Sequence, residues 1–367
     1  MRGNFGEHFR LTIFGESHGP GIGIVIDGIP AGTPIDENEI ARFMARRAPG
    51  RDPTATARRE ADHVEILSGV LDGHACGTPV CGLIRNTNMH SGDYRSLIGR
   101  MRPGHADYAG QIKYGGFNDP RGGGHFSGRL TAPLVFAGSI ARAILRERGI
   151  TIGSHIARIG PVHDAPMDSI RPDPVLLDRL AASSFPLIDP SAEAAMRQHV
   201  EEAKSALDSV GGCVECAAVG VPAGIGSPFF GSVESVFSTL AFSVPAVKAV
   251  EFGDGTAIAD LTGSQANDAM SYENDRVICL TNHNGGVTGG ITNGMPVLVR
   301  VTLKPTPSIS RPQHTVDLNT KNDTTLEIHG RHDPCIVPRA AVVIESILAI
   351  TLLELSMDDA ATRPLKP

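Results

Sequence analysis

Strand-like and helix-like segments interleave along all 367 residues, and no low-complexity linker divides them. This pattern requires one shared core rather than a string of modules. Gly23 to Gly28 alternates apolar residues as a strand does. Asp36 to Arg47 reads as a helix, with Asp36 and Glu39 at capping-box spacing and Ile40, Phe43 and Met44 on one face. His63 to Leu71 and Thr78 to Arg85 read as two strands joined through a glycine-containing connection. Thr131 to Arg148 reads as a helix, with Pro133 in its first turn and Gly149 just past its end. Thr151 to Ile159, Gly212 to Val221, Val247 to Phe252 and Pro296 to Leu303 read as strands. Ser191 to Asp208, Val233 to Phe242 and about Pro338 to Leu355 read as helices, and 160–190 as a loop with a short helix. The expectation is one α/β domain over 1–367, ordered to about 355, with a flexible tail over 356–367. Hairpin-like strand pairs favour largely antiparallel sheets over a doubly wound parallel one.

Composition narrows the function. The chain is 41% hydrophobic and 20% charged, with a mean hydropathy of -0.03, as expected of a folded protein. Its longest apolar-rich stretch, Ala340 to Leu355, is broken by Glu345, Ser346, Thr351 and Glu354, so no membrane span is expected. Met1 to Arg10 lacks an apolar signal core, and six cysteines are too few for a disulfide scaffold, which points to the cytoplasm. A net charge of -7 and the lack of tryptophan argue against a nucleic-acid partner. Of 33 basic residues 27 are arginine, and residues 1–130 carry a net charge of +1 against -8 for the remainder. A local arginine pocket for a small anionic substrate fits that distribution.

Several segments carry residues able to do chemistry. Phe14-Gly15-Glu16-Ser17-His18-Gly19 places a histidine in a glycine turn, without the spacing of a nucleophile elbow. Arg102-Pro103-Gly104-His105-Ala106-Asp107 offers a general acid, or a turn whose His and Asp bond local backbone. Arg121 to Arg129 contains three consecutive glycines and runs into a helix, a loop either able to take an anion or merely flexible. Asn282 to Gly294 is glycine-rich, Lys304 to Ser308 joins a lysine to hydroxyls and prolines, and Arg331 and Asp333 offer an anion ligand and a base. Cys213 and Cys216 in a strand-like run read as two small buried residues.

Taken in order, these segments resemble the chorismate synthase family. The matching blocks are Phe14 to Gly19, Arg58-Arg59-Glu60, Ile66 to Val70, Asn86-Thr87, Arg102 to Tyr108, Lys113 to Gly115 and Arg121 to Gly124. They continue through Val219 to Gly224, Gly253 to Gly255, Gly263 to Gln265, Asn282-His283, Gly289 to Ile291, Lys304 to Thr306 and Gly330 to Cys335. The resemblance implies a β-α-β sandwich and a 1,4-anti elimination of phosphate from 5-enolpyruvylshikimate 3-phosphate to give chorismate. It implies reduced FMN as cofactor without net redox change, a homotetramer, and a monofunctional enzyme served by a separate flavin reductase.

The same resemblance assigns roles. His105 would protonate the departing phosphate, His18 would manage the proton on reduced flavin, and Asp333 would assist removal of the C6 hydrogen. Arg47, Arg129 and Arg10 would hold substrate anions, and the position of Arg47 also matches an NADP contact. FMN contacts would come from His125, Phe126, Ser127, Pro245, Ala246, Gly289, Lys304, Pro305, Thr306, Pro307, Ser308 and Arg331, and no metal is implied. The chain departs from the family pattern in three places. His125-Phe126-Ser127 stands where the family has Arg-Ser-Ser, Pro245 where it has Asn, and Pro53 where it has a second nucleotide-contact arginine. Phe126 thereby adds a ring able to lie against substrate or flavin. The alternatives are a diverged flavin- or sugar-phosphate-binding homologue and a non-catalytic anion-binding module; retention of His18, His105 and Asp333 together favours catalysis.

Overall fold

The computed structural model describes residues 3–50, 62–87, 99–328 and 333–362. Strands β1 (Asn4–Phe5), β2 (Arg10–Gly15) and β3 (Gly21–Asp27) form an antiparallel meander in which Ile22, Ile24 and Ile26 are fully buried. Helix α1 (Glu37–Arg47) starts at Asp36, whose side chain accepts the N–H groups of Asn38 and Glu39. The chain continues through β4 (Glu65–Ser68), β5 (Val70–Leu71), β6 (His74–Ala75) and β7 (Val80–Arg85), and β7 pairs with both β3 and β4. The first sheet therefore has the order β1-β2-β3-β7-β4, with β5 and β6 as a small side hairpin.

Next come α2 (Asp107–Tyr114), α3 (Thr131–Glu147), β8 (Thr151–Ile159), β9 (Val162–His163), α4 (Pro174–Ala182), α5 (Glu193–Ser205) and β10 (Gly212–Val219). They are followed by α6 (Val233–Ser243), β11 (Val247–Phe252), α7 (Gly263–Ala266) and the hairpins β12 (Met270–Glu273) with β13 (Arg276–Cys279) and β14 (Val287–Thr288) with β15 (Ile291–Thr292). The last elements are β16 (Val297–Leu303), the hairpin β17 (Gln313–Asp317) with β18 (Asn322–Leu326), and α8 (Val337–Thr362). The second sheet runs β11-β16-β10-β8-β9, antiparallel throughout.

Helices α1, α3 and α8 lie between the sheets, α3 touching β3 and β7 on one side and α8 touching β8 and β10 on the other. This is the expected α/β sandwich. Helices α3 and α8 cross closely because Gly138 has no side chain; a Cβ there would stand 2.2 Å from that of Ser346. Both helices are long and apolar enough to span a membrane, yet 89% of each apolar window is buried inside the protein. Apolar on every face, they are core helices of this sandwich. The polar residues of α8 are satisfied in place, Ser346 donating to the carbonyl of Val342 and Thr351 to that of Ile347.

One charged residue of α8 joins four elements. The Glu345 carboxylate accepts Arg46 Nη1 and Nη2 of α1 at 2.6 and 2.7 Å and Ser154 Oγ of β8 at 2.7 Å, with Arg142 of α3 at 3.7 Å. Burial alone would raise its pKa; the Arg46 guanidinium outweighs that and holds it below the usual carboxylate range.

Two expectations change. Helix α8 continues through Thr362, so 356–362 is not a tail: Met357 packs on the core and Asp358 Oδ1 lies 3.2 Å from His8 Nε2. Residues 363–367 lie outside the described residues. Helix α2 and the hairpins β12–β13 and β17–β18 were not legible, because α2 buries only Gly110 and all of β12 is exposed. Cys213 and Cys216 are, as expected, both buried on β10, and burial pushes their thiols up.

Two predictions follow from the buried charges. Glu345→Ala leaves buried Arg46 without its carboxylate and Arg142 with Asp178 alone, and should cost about 3–5 kcal/mol in urea unfolding; a loss under about 1 kcal/mol would show that water replaces the pair. His155, fully buried, has Nδ1 2.7 Å from Asp164 and Nε2 2.9 Å from Glu215, so both ring nitrogens donate. Burial alone would lower its pKa, but the two carboxylates outweigh that and raise it above 6.5. Its stabilisation is complete below that unfolded value and is lost as pH rises through the folded one. Stability of the native protein should therefore fall from pH 7 to 9 more steeply than that of His155→Gln; equal slopes would mean a neutral ring.

Candidate active site

The glycine run ahead of α3 carries both histidines. Gly122 and Gly123 take φ of +60° and +90°, a region that favours glycine. A Cβ on Gly122 would lie 2.0 Å from His18 Nδ1, and one on Gly123 would lie 2.9 Å from His105 Cε1. Consecutive glycines thus seat one imidazole each, so residues 87 apart in sequence meet at one loop. The Ser17 N–H donates to the Gly124 carbonyl at 3.2 Å, fixing the His18 turn to the same loop. Ser17 Oγ faces His18 Nδ1 at 3.2 Å, and both residues are buried.

Beside the His18 turn lies a buried cluster of arginines and carboxylates. Arg47 Nε donates to Asp62 Oδ2 and Arg129 Nη1 to Asp62 Oδ1, each at 2.7 Å. Burial alone would raise the Asp62 carboxyl; the two guanidinium groups outweigh it and lower it. Arg129 Nε donates to Asn86 Oδ1 at 2.7 Å, and Asn86 Nδ2 donates to the carbonyls of Glu16 at 2.9 Å and Gly19 at 2.8 Å. The cluster is therefore wired to the His18 turn. On its other side Arg339 Nε donates to the Arg47 carbonyl at 2.8 Å while Nη1 pairs with Asp333. Three guanidinium groups against two carboxylates give this wall an excess of positive charge suited to an anion.

The third wall follows β16. Lys304 Nζ donates to the Gly104 carbonyl at 2.5 Å, bringing 304–308 against the His105 turn. Burial, then nearby Lys248, lowers the pKa of the Lys304 ammonium. The Lys304 N–H donates to the carbonyl of Ala246, whose φ is +76°, so the Pro245-Ala246 turn joins the same wall. Thr306 Oγ1 is buried without a hydrogen-bond partner among the described residues.

The structure thus brings together His18, His105, Arg47, Arg129, Asp333, Ser127, Pro245, Ala246 and Lys304 to Ser308. It does not bring Arg10 there: Arg10 begins β2, while the strand's other end leads to His18, and it is exposed beside Glu7, His8 and Asp27. Nor does it bring Gly289, which turns the β14–β15 hairpin ahead of β16, whereas Lys304 follows that strand's far end. Arg331 and Pro53 lie outside the described residues. His125 Nδ1 lies 2.8 Å from the Gly15 carbonyl. Phe126 packs on α2, its centroid 6.2 Å from that of Tyr114 and its edge over Gly110. Sequence reasoning missed Asp62, Asn86, Asp107 and Arg339 as site residues; only Asp107 carried a local signal, two residues after His105. Gly123→Ala, strained at φ +90° and pushing on His105, should lower kcat about 10²-fold, the scale of a 1 Å misplacement. Steady-state kinetics would show otherwise if kcat stayed within about twofold.

Comparison with known proteins bears on the family of the whole chain. The chorismate synthase family profile matches residues 9–357. The chain is 43% identical over 370 residues to a chorismate synthase of Methanocella arvoryzae, covering 100% of this chain and 97% of that one. It is 45% identical over 367 residues to one of Aeropyrum pernix, covering 99% and 95%. A chorismate synthase crystal structure superposes with a TM-score of 0.76 at 30% identity, covering 97% of this chain and 93% of its own. On sequence and fold alike, the chain belongs to the chorismate synthase family.

Proposed function

We propose that the chain eliminates phosphate from 5-enolpyruvylshikimate 3-phosphate in a 1,4-anti sense to give chorismate, with reduced FMN bound at the same site. The observation that carries this reading is the seating of His18 and His105 on consecutive glycines beside a buried arginine–carboxylate cluster. The substrate brings a phosphate and two carboxylates, and Arg47 and Arg129 supply guanidinium forks on one wall. His105 donates a proton to the departing phosphate, and His18 is the second proton carrier, its Nδ1 kept by Ser17. Asp333 assists removal of the C6 hydrogen, and Arg339 fixes its position.

The donor set of the third wall fits a flavin phosphate. Lys304 offers an ammonium, and Thr306 offers a buried hydroxyl with no acceptor among the described residues. When bound, reduced FMN supplies the electron that the elimination borrows and returns. Its reduction is assigned to a separate flavin reductase. Six cysteines without a disulfide support a reducing, cytoplasmic setting. Exposed Phe229, Phe230 and Phe242 support burial against other copies in a homotetramer.

An anaerobic assay with chemically reduced FMN, following phosphate release, tests the reading. Turnover should require the reduced cofactor, and His105→Ala should lower kcat by about 10²–10⁴-fold. Full turnover with oxidised FMN alone, or His105→Ala raising only KM, would overturn it. Binding of both ligands without phosphate release would instead mark a diverged homologue.

A further inference from the structure

His105 has a carboxylate of its own. Its Nδ1 lies 3.1 Å from Asp107 Oδ1, and the opposite edge, Cε1 and Nε2, faces the position a Gly123 Cβ would take, at 2.9 and 3.3 Å. The carboxylate is held in turn by Arg102, whose Nε donates to Oδ2 at 2.7 Å, Nη2 to Oδ1 at 2.7 Å and backbone N to Oδ2 at 3.1 Å. Arg102 is buried, and Asp107 opens α2, so neither partner is a mobile surface group.

We propose that Asp107 is a positioning residue of the reaction, fixing the proton of His105 on Nδ1 so that the imidazole donates to the departing phosphate from Nε2. The inference rests on His105 being the general acid. Arg102 Nη2 also stands 3.4 Å from Nδ1, but the carboxylate at 3.1 Å is the nearer partner, and Nη2 already donates to it at 2.7 Å. A carboxylate accepts but does not donate, so the ring nitrogen facing it keeps its hydrogen in both the charged and the neutral ring. Nε2 alone then loses and regains the proton, always toward the glycine loop. Had Nε2 held the proton in the neutral ring, reprotonation would occur on the side facing Asp107, away from the site.

The charges around His105 fix the sign of the effect. Its own turn supplies Arg102 and Asp107, the segment after β16 supplies Lys304 against the Gly104 carbonyl, and His18 lies across Gly122-Gly123. Asp107 is the anion of that set, and it stays ionised. Burial alone would raise its carboxyl, but the bonds from Arg102 and His105 outweigh that and hold it well below the usual range. Replacing it by asparagine removes the negative charge that faces the imidazolium at Nδ1. Activity that needs the imidazolium is then lost at lower pH.

The test is Asp107→Asn, with Asp107→Glu as the conservative variant and His105→Ala as reference, assayed anaerobically with reduced FMN across pH 6–9. Asp107→Asn should lower kcat about 10²-fold or more, with KM within about threefold, as expected when a histidine loses its orienting carboxylate. Its alkaline limb should move down by about one pH unit, and Asp107→Glu should recover part of both. Ring ¹⁵N spectra of histidine-labelled native protein, with the His105 signal identified by its loss in His105→Ala, should show the neutral ring protonated on Nδ1. That measurement needs no variant at position 107 to fold. A His105 ring protonated on Nε2, or an Asp107→Asn limb unmoved from the native one, would overturn the role of Asp107. A His105→Ala enzyme with native kcat would instead overturn the general-acid reading on which it rests.

Discussion

The last turn of α1 holds two consecutive arginines that face different ways. Successive helical residues diverge by about 100°, so Arg46 enters the core to meet Glu345 while Arg47 enters the site to meet Asp62. Both carboxylates are fully buried, and both pairs lie close to 2.6 Å. Removing one partner from such a pair is costly, because the other stays dehydrated and unpaired. The site's first arginine is thus held to the core by its chain neighbour, and Arg339 of α8 is bound to its carbonyl. Core and site share one rigid joint, and the precision of the site depends on helix packing more than on its loops.

The same logic explains the carboxylate partners of the site's cations. A pocket built for a multiply charged anion needs several guanidinium groups, and crowding them together is unfavourable without counter-ions. Asp62 is shared by Arg47 and Arg129, and Asp333 is paired with Arg339. Each carboxylate holds its guanidinium in a fixed orientation, while the excess positive charge remains for a ligand. Asp107 with Arg102 repeats the device at His105 with the roles exchanged, the arginine fixing the carboxylate that faces the imidazole.

What could be read from the sequence followed the range of the interaction. Helices α1 and α5 were legible because burial on one side imposes a period on adjacent residues, and α3 because Pro133 stands in its first turn and Gly149 just past its end. Helix α2 turns Tyr108 and Ile112 outward, and β12 exposes Met270 and Tyr272, so no buried face imposes a period there. The extension of α8 was missed because Asp358 and Asp359 look like a solvated tail until His8 is seen beside them. In the site, His18 and His105 stood in compact glycine turns. Asp62 did not, since its partners are 15 and 67 residues away and only the folded chain unites them. Arg10 failed for the opposite reason: a plausible residue on the right strand lies at the strand's wrong end.

The 125–127 segment shows how a departure from a family pattern can be absorbed. Phe126 covers Gly110, where a Cβ would stand 2.8 Å from the ring, so the phenyl ring and the missing side chain fit each other. The ring also tilts against Tyr114 at 44°, which gives the short and otherwise solvated α2 an apolar contact with the loop. That contact matters because α2 begins at Asp107: anything that steadies the helix steadies the carboxylate facing His105. At the neighbouring position the imidazole of His125 is turned to the backbone of Gly15, three residues before His18. Both replacements therefore support the frame of the two histidines, one through α2 and one through the His18 turn. The side chains at 125 and 126 thus act as packing and backbone contacts behind the two imidazoles.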